Sequence, residues 1–222
     1  MLKKIEMYKY LFSITALFFI IITSCDNDND DLIEPVILSE NIELYNENFV
    51  SDDYIFVVEN SSTYSYLINK EGFKLWEWNF DTTSGNDLEI LENGNIIGLF
   101  KAANPSIDFG GFGGTAKIID PNANTIWEYT VSNDNFIAHH DVEMLPNGNI
   151  LMMIWERITN EEAVENGVDF DTDIFAEKII EVNPSNNQII WEWRSWDHII
   201  QDKFEDFPNF GDINMNPNKI NI

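Results

Sequence analysis

The sequence predicts an all-β protein, a β-propeller of four-stranded blades with about three blades present. Two recurring hairpins and their spacing carry this expectation. The first hairpin ends in tryptophan and occurs as "YLINKEGFKLWEW" (66–78), "KIIDPNANTIWEY" (117–129) and "IIEVNPSNNQIIWEW" (179–193). Each copy has an alternating apolar strand, a turn rich in Asn, Pro or Gly, and a second strand closing in Trp-Glu-aromatic, which is strand–turn–strand chemistry. The second hairpin opens each repeat as "DLEILENGNII" (87–97), "DVEMLPNGNIL" (141–151) and "DINMNPNKINI" (212–222). Asn-Gly at 93–94 and 147–148 supplies the positive φ angles of a tight hairpin turn. The third copy has Asn218-Lys219 there and is degraded.

The spacing follows from the aspartates that begin the opening hairpins. Asp87, Asp141 and Asp212 are 54 and 71 residues apart, and residues 157–174 and 195–210 fill the longer gap. Two hairpins in that length make one four-stranded blade. Trp76, Trp127 and Trp191 recur seven or eight residues after Asn69, Asp120 and Asn183. They read as packing between blades, each offering a large apolar face and an indole N–H that a loop carbonyl can satisfy. The aspartates read as turn or backbone caps. Closure of a propeller takes four to eight blades, so 49–222 is expected to be part of a longer propeller.

The N-terminus reads as an export signal. Lys3, Lys4 and Lys9 precede the apolar run 11–22, which is too short to span a bilayer and suits the core of a signal peptide. "ITSC" then leads to Cys25, the only cysteine, in the manner of a bacterial lipobox. Residues 1–24 are thus expected to be a lipoprotein signal peptide, with a lipid on Cys25. Residues 25–48 form an acidic linker and lead-in, beginning with "DNDNDD" (26–31). The expected location is the outer membrane, facing the periplasm or the cell surface. A lone cysteine also excludes an internal disulfide.

The net charge of −27 argues against nucleic acid as a partner and gives no general attraction for anionic lipid headgroups. Arg157 and Arg194 are the only arginines. "DFDTD" (169–173) lacks the glycine and terminal glutamate of a calcium loop and reads as solvated. "FGGFGG" (109–114) lacks the Gly-Lys-Ser/Thr ending of a phosphate loop. No metal or cofactor is implied.

The hairpin repeat leaves His139 and His140 unexplained, because Asn86 and Gly211 stand where His140 does. "AHHDVEMLPNGNIL" (138–151) and "WEWRSWDHIIQD" (191–202) resemble the bacterial arylsulfate sulfotransferases, over a stretch from Tyr64 to the C-terminus. The resemblance implies the N-terminal portion of a lipoprotein member with a six-bladed propeller. It implies sulfuryl transfer from an aryl sulfate to a phenol through a transiently sulfated histidine, with small aryl sulfates and phenols as partners. The nucleophilic histidine would belong to a later blade, beyond Ile222. His140 is the first residue carried over and His139 the second, both for sulfuryl binding or acid–base work. Arg157 and His198 are candidates for substrate contact. Against this stand an ion pair with acidic neighbours for Arg157 and packing on Trp196 for His198. The alternative function is a non-catalytic outer-membrane lipoprotein propeller that binds protein or glycan.

Overall fold

The structure, a computed structural model, describes residues 35–168 and 171–221. The expected leader, Cys25 and the acidic run after it lie outside the described residues. Among the described residues, no helix is long and apolar enough to cross a membrane.

The fold is all-β in its framework, with three antiparallel sheets of three or four strands in chain order. The first contains β1 (Ile55–Val58), β2 (Tyr64–Ile68) and β3 (Lys74–Asn79). The second contains β4 (Ser84–Ile90), β5 (Ile96–Lys101), β6 (Gly114–Ile119) and β7 (Thr125–Thr130). The third contains β8 (Phe136–Met144), β9 (Ile150–Ile158), β10 (Ile174–Asn183) and β11 (Gln188–Arg194). Each strand pairs with its predecessor within its sheet, as local turns dictate. Gly94 (φ 84°) and Gly148 (φ 83°) provide the left-handed turn residues of the opening hairpins. In the Trp-ended hairpins, the side chains of Asn69, Asp120 and Asn183 accept bonds of 2.8–2.9 Å from turn amides at Phe73, Asn124 and Ser185.

Two apolar seams join the sheets. Trp78, Phe80, Leu88, Ile96, Phe100 and Ile119 bury the first sheet against the second. Ile97, Leu99, Ile118, Val142, Met152 and Ile180 anchor the seam between the second and third. The tryptophans sit at the edges of these seams. Trp76 is 48% exposed, and its Nε1 donates to the Pro121 carbonyl in the β6–β7 turn at 3.0 Å. Trp127 packs half-buried on the second seam, and its Nε1 donates to Oδ1 of Asn187 in the β10–β11 turn at 2.8 Å. In both cases an indole N–H bonds a turn of the next sheet, once through a backbone carbonyl and once through a side-chain amide.

Two expectations are corrected. The third opening hairpin does not form. Asp212 accepts from the Asn214 amide (2.8 Å) and holds Ile213–Met215 in a 3-10 turn. The segment then forms β13 (Ile220–Asn221), parallel to β12 (Ile199–Ile200). Without Asn-Gly there is no favoured left-handed turn to fold the chain back, and the capping bond outcompetes the strand. Asp173, at the end of "DFDTD", is also more than a solvated loop residue. Asp173 accepts from the Asn160 amide (2.8 Å) beside the start of α1 (Asn160–Glu165), a helix capped by Thr159 and packed on Ile158, Val168 and Trp196.

Candidate functional site

The pairing of β8 with β9 skips from Ala138↔Ile154 to Val142↔Met152, so His139, His140 and Asp141 stand opposite Met153 alone. This bulge re-aims side chains away from the ladder. The second sheet has the same irregularity. Ser84↔Phe100 is followed by Leu88↔Gly98, which puts Gly85, Asn86 and Asp87 in the matching places. The structure therefore separates the repeated part, the bulge, from the histidines placed in it. His140 alone of the two pairs adopts a left-handed backbone, with φ 54°.

A glycine-rich loop closes over the bulge. The His140 amide donates to the Gly111 carbonyl (3.0 Å), and the Gly113 amide to the Ala138 carbonyl (2.9 Å). Gly111 has φ 91°, and a Cβ there would come within 2.3 Å of the His140 ring. The glycines of "FGGFGG" thus let backbone lie against an imidazole. Phe109 from the same loop lies 4.2 Å from Trp155 and 4.8 Å from Phe175, ring centre to ring centre.

His139 is 1% exposed and lies flat on Trp155, with 4.0 Å between ring centres and 9° between planes. Its Nε2 is 2.8 Å from Oε2 of Glu177 on β10, a close approach without the alignment of a good hydrogen bond. Trp155 Nε1 donates to the other Glu177 oxygen at 3.2 Å. On its far side, Nδ1 of His139 meets Nδ1 of His140 at 2.8 Å. Burial pushes the His139 pKa down, the neighbouring His140 adds to that, and Glu177 works against it. His140 is exposed, and its Nε2 has no partner among the described residues. Such an imidazole can exchange a proton with a bound molecule.

Asp87 reaches across from β4, accepting from the Val142 amide at 3.4 Å. Burial and the nearby Asp141 raise its pKa to about 6.

The other candidates are placed differently. Arg157 pairs with Asp173, its Nε 2.6 Å from Oδ2, at the edge of a cleft of about 280 Å³ lined also by Ser106, Ile107, Asp134 and Phe175. Arg194 is held by Glu156 (2.7 Å) and Asp197 (3.0 Å). His198 lies in a 3-10 turn and stacks on Trp193 (5.2 Å, 14°), not on Trp196, whose ring turns inward beside α1. The described residues bring no three His, Cys, Asp or Glu together as a metal site.

An exposed histidine beside a buried one, on a bulge of an all-β framework, defines a candidate site for proton exchange and group transfer. The chain belongs to the arylsulfotransferase (ASST) family, whose model matches residues 87–221. No curated protein matches it. Among solved structures it is similar to a protein of unknown function from Bacteroides caccae, with 15% identity and a TM-score of 0.40. That match covers 65% of this chain and 41% of the other, so this chain spans less than half of that protein's length.

Sequence reasoning missed Glu177, Trp155 and Gly111. A signal existed for the first two. Trp155 and Glu177 pair with each other on β9 and β10, where Lys101 and Gly114 pair in the second sheet. They depart from the repeat just as the histidines do.

Proposed function

We propose that this protein transfers a sulfuryl group from an aryl sulfate to a phenolic acceptor, with His140 exchanging a proton with an aryl oxygen. The observation that carries the reading is the exposed His140 imidazole, tied at Nδ1 and unpartnered at Nε2. Family membership supplies the reaction class. In the two-step form of the reaction, a histidine nitrogen takes the sulfuryl group from the donor, whose S–O bond breaks to release a phenolate. The acceptor oxygen then bonds to sulfur, the S–N bond breaks, and the acceptor's proton passes to a base. Positioning and charge stabilisation dominate such transfers. Arg157 is proposed to face the sulfuryl anion from its cleft, its own charge partly offset by Asp173.

The bonds from Trp76 and Trp127 to the turns of the following sheets support reading the three sheets as successive propeller blades. We further propose export as a lipoprotein anchored through Cys25. Mass spectrometry of the membrane fraction is expected to find a diacylglyceryl-modified Cys25, and a soluble chain retaining Met1 would overturn that.

The test of the reaction is turnover of 4-nitrophenyl sulfate with phenol as acceptor by the full-length protein, including the histidine nucleophile that the resemblance implies. His140→Ala is expected to lose about 10²-fold or more in rate with an unchanged melting temperature. Full activity in that variant would remove His140 from the mechanism.

A further inference from the structure

His139 and His140 meet through like atoms, Nδ1 to Nδ1, at 2.8 Å. Two lone pairs or two N–H groups at that distance would repel, so one proton lies between them. Which ring carries it is decided at the far side of His139. There a Glu177 oxygen stands 2.8 Å from Nε2. A carboxylate at that distance disfavours a lone pair and favours N–H, even with imperfect alignment. The neutral His139 ring then has its single proton on Nε2, and its Nδ1 is an acceptor. His140 must supply the proton between the rings from its own Nδ1. In neutral His140 this leaves Nε2 as a bare lone pair.

The rest of the cluster limits how far these atoms can move. Trp155 stacks on the His139 face and donates its own N–H to Glu177, so one residue aligns both the carboxylate and the ring. Burial of His139 favours its neutral form, as the scheme requires. The left-handed φ of His140 and the absence of a side chain at Gly111 set the second ring against the first.

We propose that Glu177 is a positioning residue that acts through His139 to hold His140 with its proton on Nδ1, leaving the Nε2 lone pair as the proton acceptor of the site. The consequence for turnover rests on the acid–base role given above to His140, whereas the tautomer does not. In that role, the acceptor phenol's O–H proton moves to His140 Nε2 as its oxygen bonds to sulfur, and the resulting imidazolium later releases the proton to solvent or to the departed phenolate. A carboxylate that orders a histidine tautomer is a general device of acyl-transfer sites.

The test is nitrogen NMR of protein labelled with ¹⁵N in the imidazole rings, at about pH 8 and above the ordinary imidazole range. His140 is expected to show a protonated Nδ1 and a pyridine-like Nε2, and His139 the reverse. In Glu177→Gln the amide oxygen can keep the Trp155 bond, which turns the amide NH₂ toward His139 Nε2. Both tautomers are then expected to invert. The rate with phenol should fall on the order of 10²-fold, with the KM for 4-nitrophenyl sulfate little changed. A wild-type His140 protonated at Nε2, or a Gln variant with unchanged tautomers, overturns the proposal. The wild-type spectrum decides the question even if the variant does not fold. The predicted tautomers in a protein without sulfuryl turnover would uphold the relay and retire the transferase reading.

Discussion

Nε1 of Trp127 on β7 donates to Oδ1 of Asn187 at 2.8 Å, and this bond ties the second sheet to a turn of the third. Asn187 itself sits at φ 57°, so the turn and the tie depend on one residue. Asn187→Gly keeps the left-handed backbone and removes only the acceptor. It is expected to cost about 1 kcal/mol in urea unfolding. Trp127→Phe should cost about 1–2 kcal/mol, and Trp127→Ala about 2–3, because the ring is half-buried at a seam and not in a core. A double-mutant cycle that combines Trp127→Phe with Asn187→Gly should show coupling of at least about 0.5 kcal/mol. Strict additivity would mean that the bond does not contribute.

Gly111→Ala places a Cβ within 2.3 Å of the His140 ring at a backbone angle of 91°. The expected result is a displaced imidazole, a loss of about 1–3 kcal/mol in stability and a rate reduction of at least about 10-fold. Gly110→Ala is the control, since a Cβ there meets nothing within 4 Å. Equal behaviour of the two variants in the rate assay would show that the loop does not seat His140.

Asp87 gives a pH-dependent prediction. Its folded pKa of about 6 lies above the ordinary 3.8, so its contribution to stability is fully present below about pH 3.8 and is lost as pH rises through 6. Asp87→Asn removes the charge and can still accept from the Val142 amide. After discounting for solvent screening of a partly exposed group, the variant should be more stable by roughly 1 kcal/mol at pH 8, or about 2–4 °C in melting temperature. At pH 3.5 the two proteins should melt together. A difference of the same size at both pH values would show that carboxylate burial is not its cause.

Lys117 is 4% exposed and is held by Asp81 (2.7 Å) and Thr82 (3.0 Å), with Asp81 itself largely in solvent. Lys117→Met removes the buried charge at similar volume and should change stability by less than about 1 kcal/mol. Asp81→Ala leaves the ammonium with Thr82 and the face of Phe100 but without its carboxylate, and should cost about 1–2 kcal/mol, limited by the exposure of the pair. The reverse order in chemical denaturation would contradict this ranking.

The hairpins were legible because their chemistry is local. Asn-Gly, and an Asn or Asp whose side chain bonds an amide two to four residues on, determine a turn whatever surrounds it. Gly211–Ile222 looked like another copy, but it lacks the glycine, and Asp212 bends it into a 3-10 turn instead. His139 and His140 stood out because a repeat shows what a position needs for folding and what it holds beyond that. Glu177 was hidden because its partners are remote in sequence. It lies 22 residues from Trp155 and further still from His139, and only the β9–β10 register brings them together. His198 was paired with the wrong tryptophan for a related reason. In a tight 3-10 turn, nearness in sequence put Trp196 on the inner face, and the half-buried ring of His198 found Trp193 on the preceding strand.

The two bulges are not interchangeable vessels. At Gly85, which occupies the place of His139, a Cβ would stand 2.8 Å from the Leu99 carbonyl, a backbone atom that cannot step aside. The second sheet therefore has the bend without room for a side chain at the place of His139. Duplication of such a unit copies the architecture freely, but a new imidazole pair in the second sheet would first require β5 to yield. Chemistry in a chain built this way is confined to whichever copy has already been widened, and mutational drift alone would find it hard to move the site from one sheet to its neighbour.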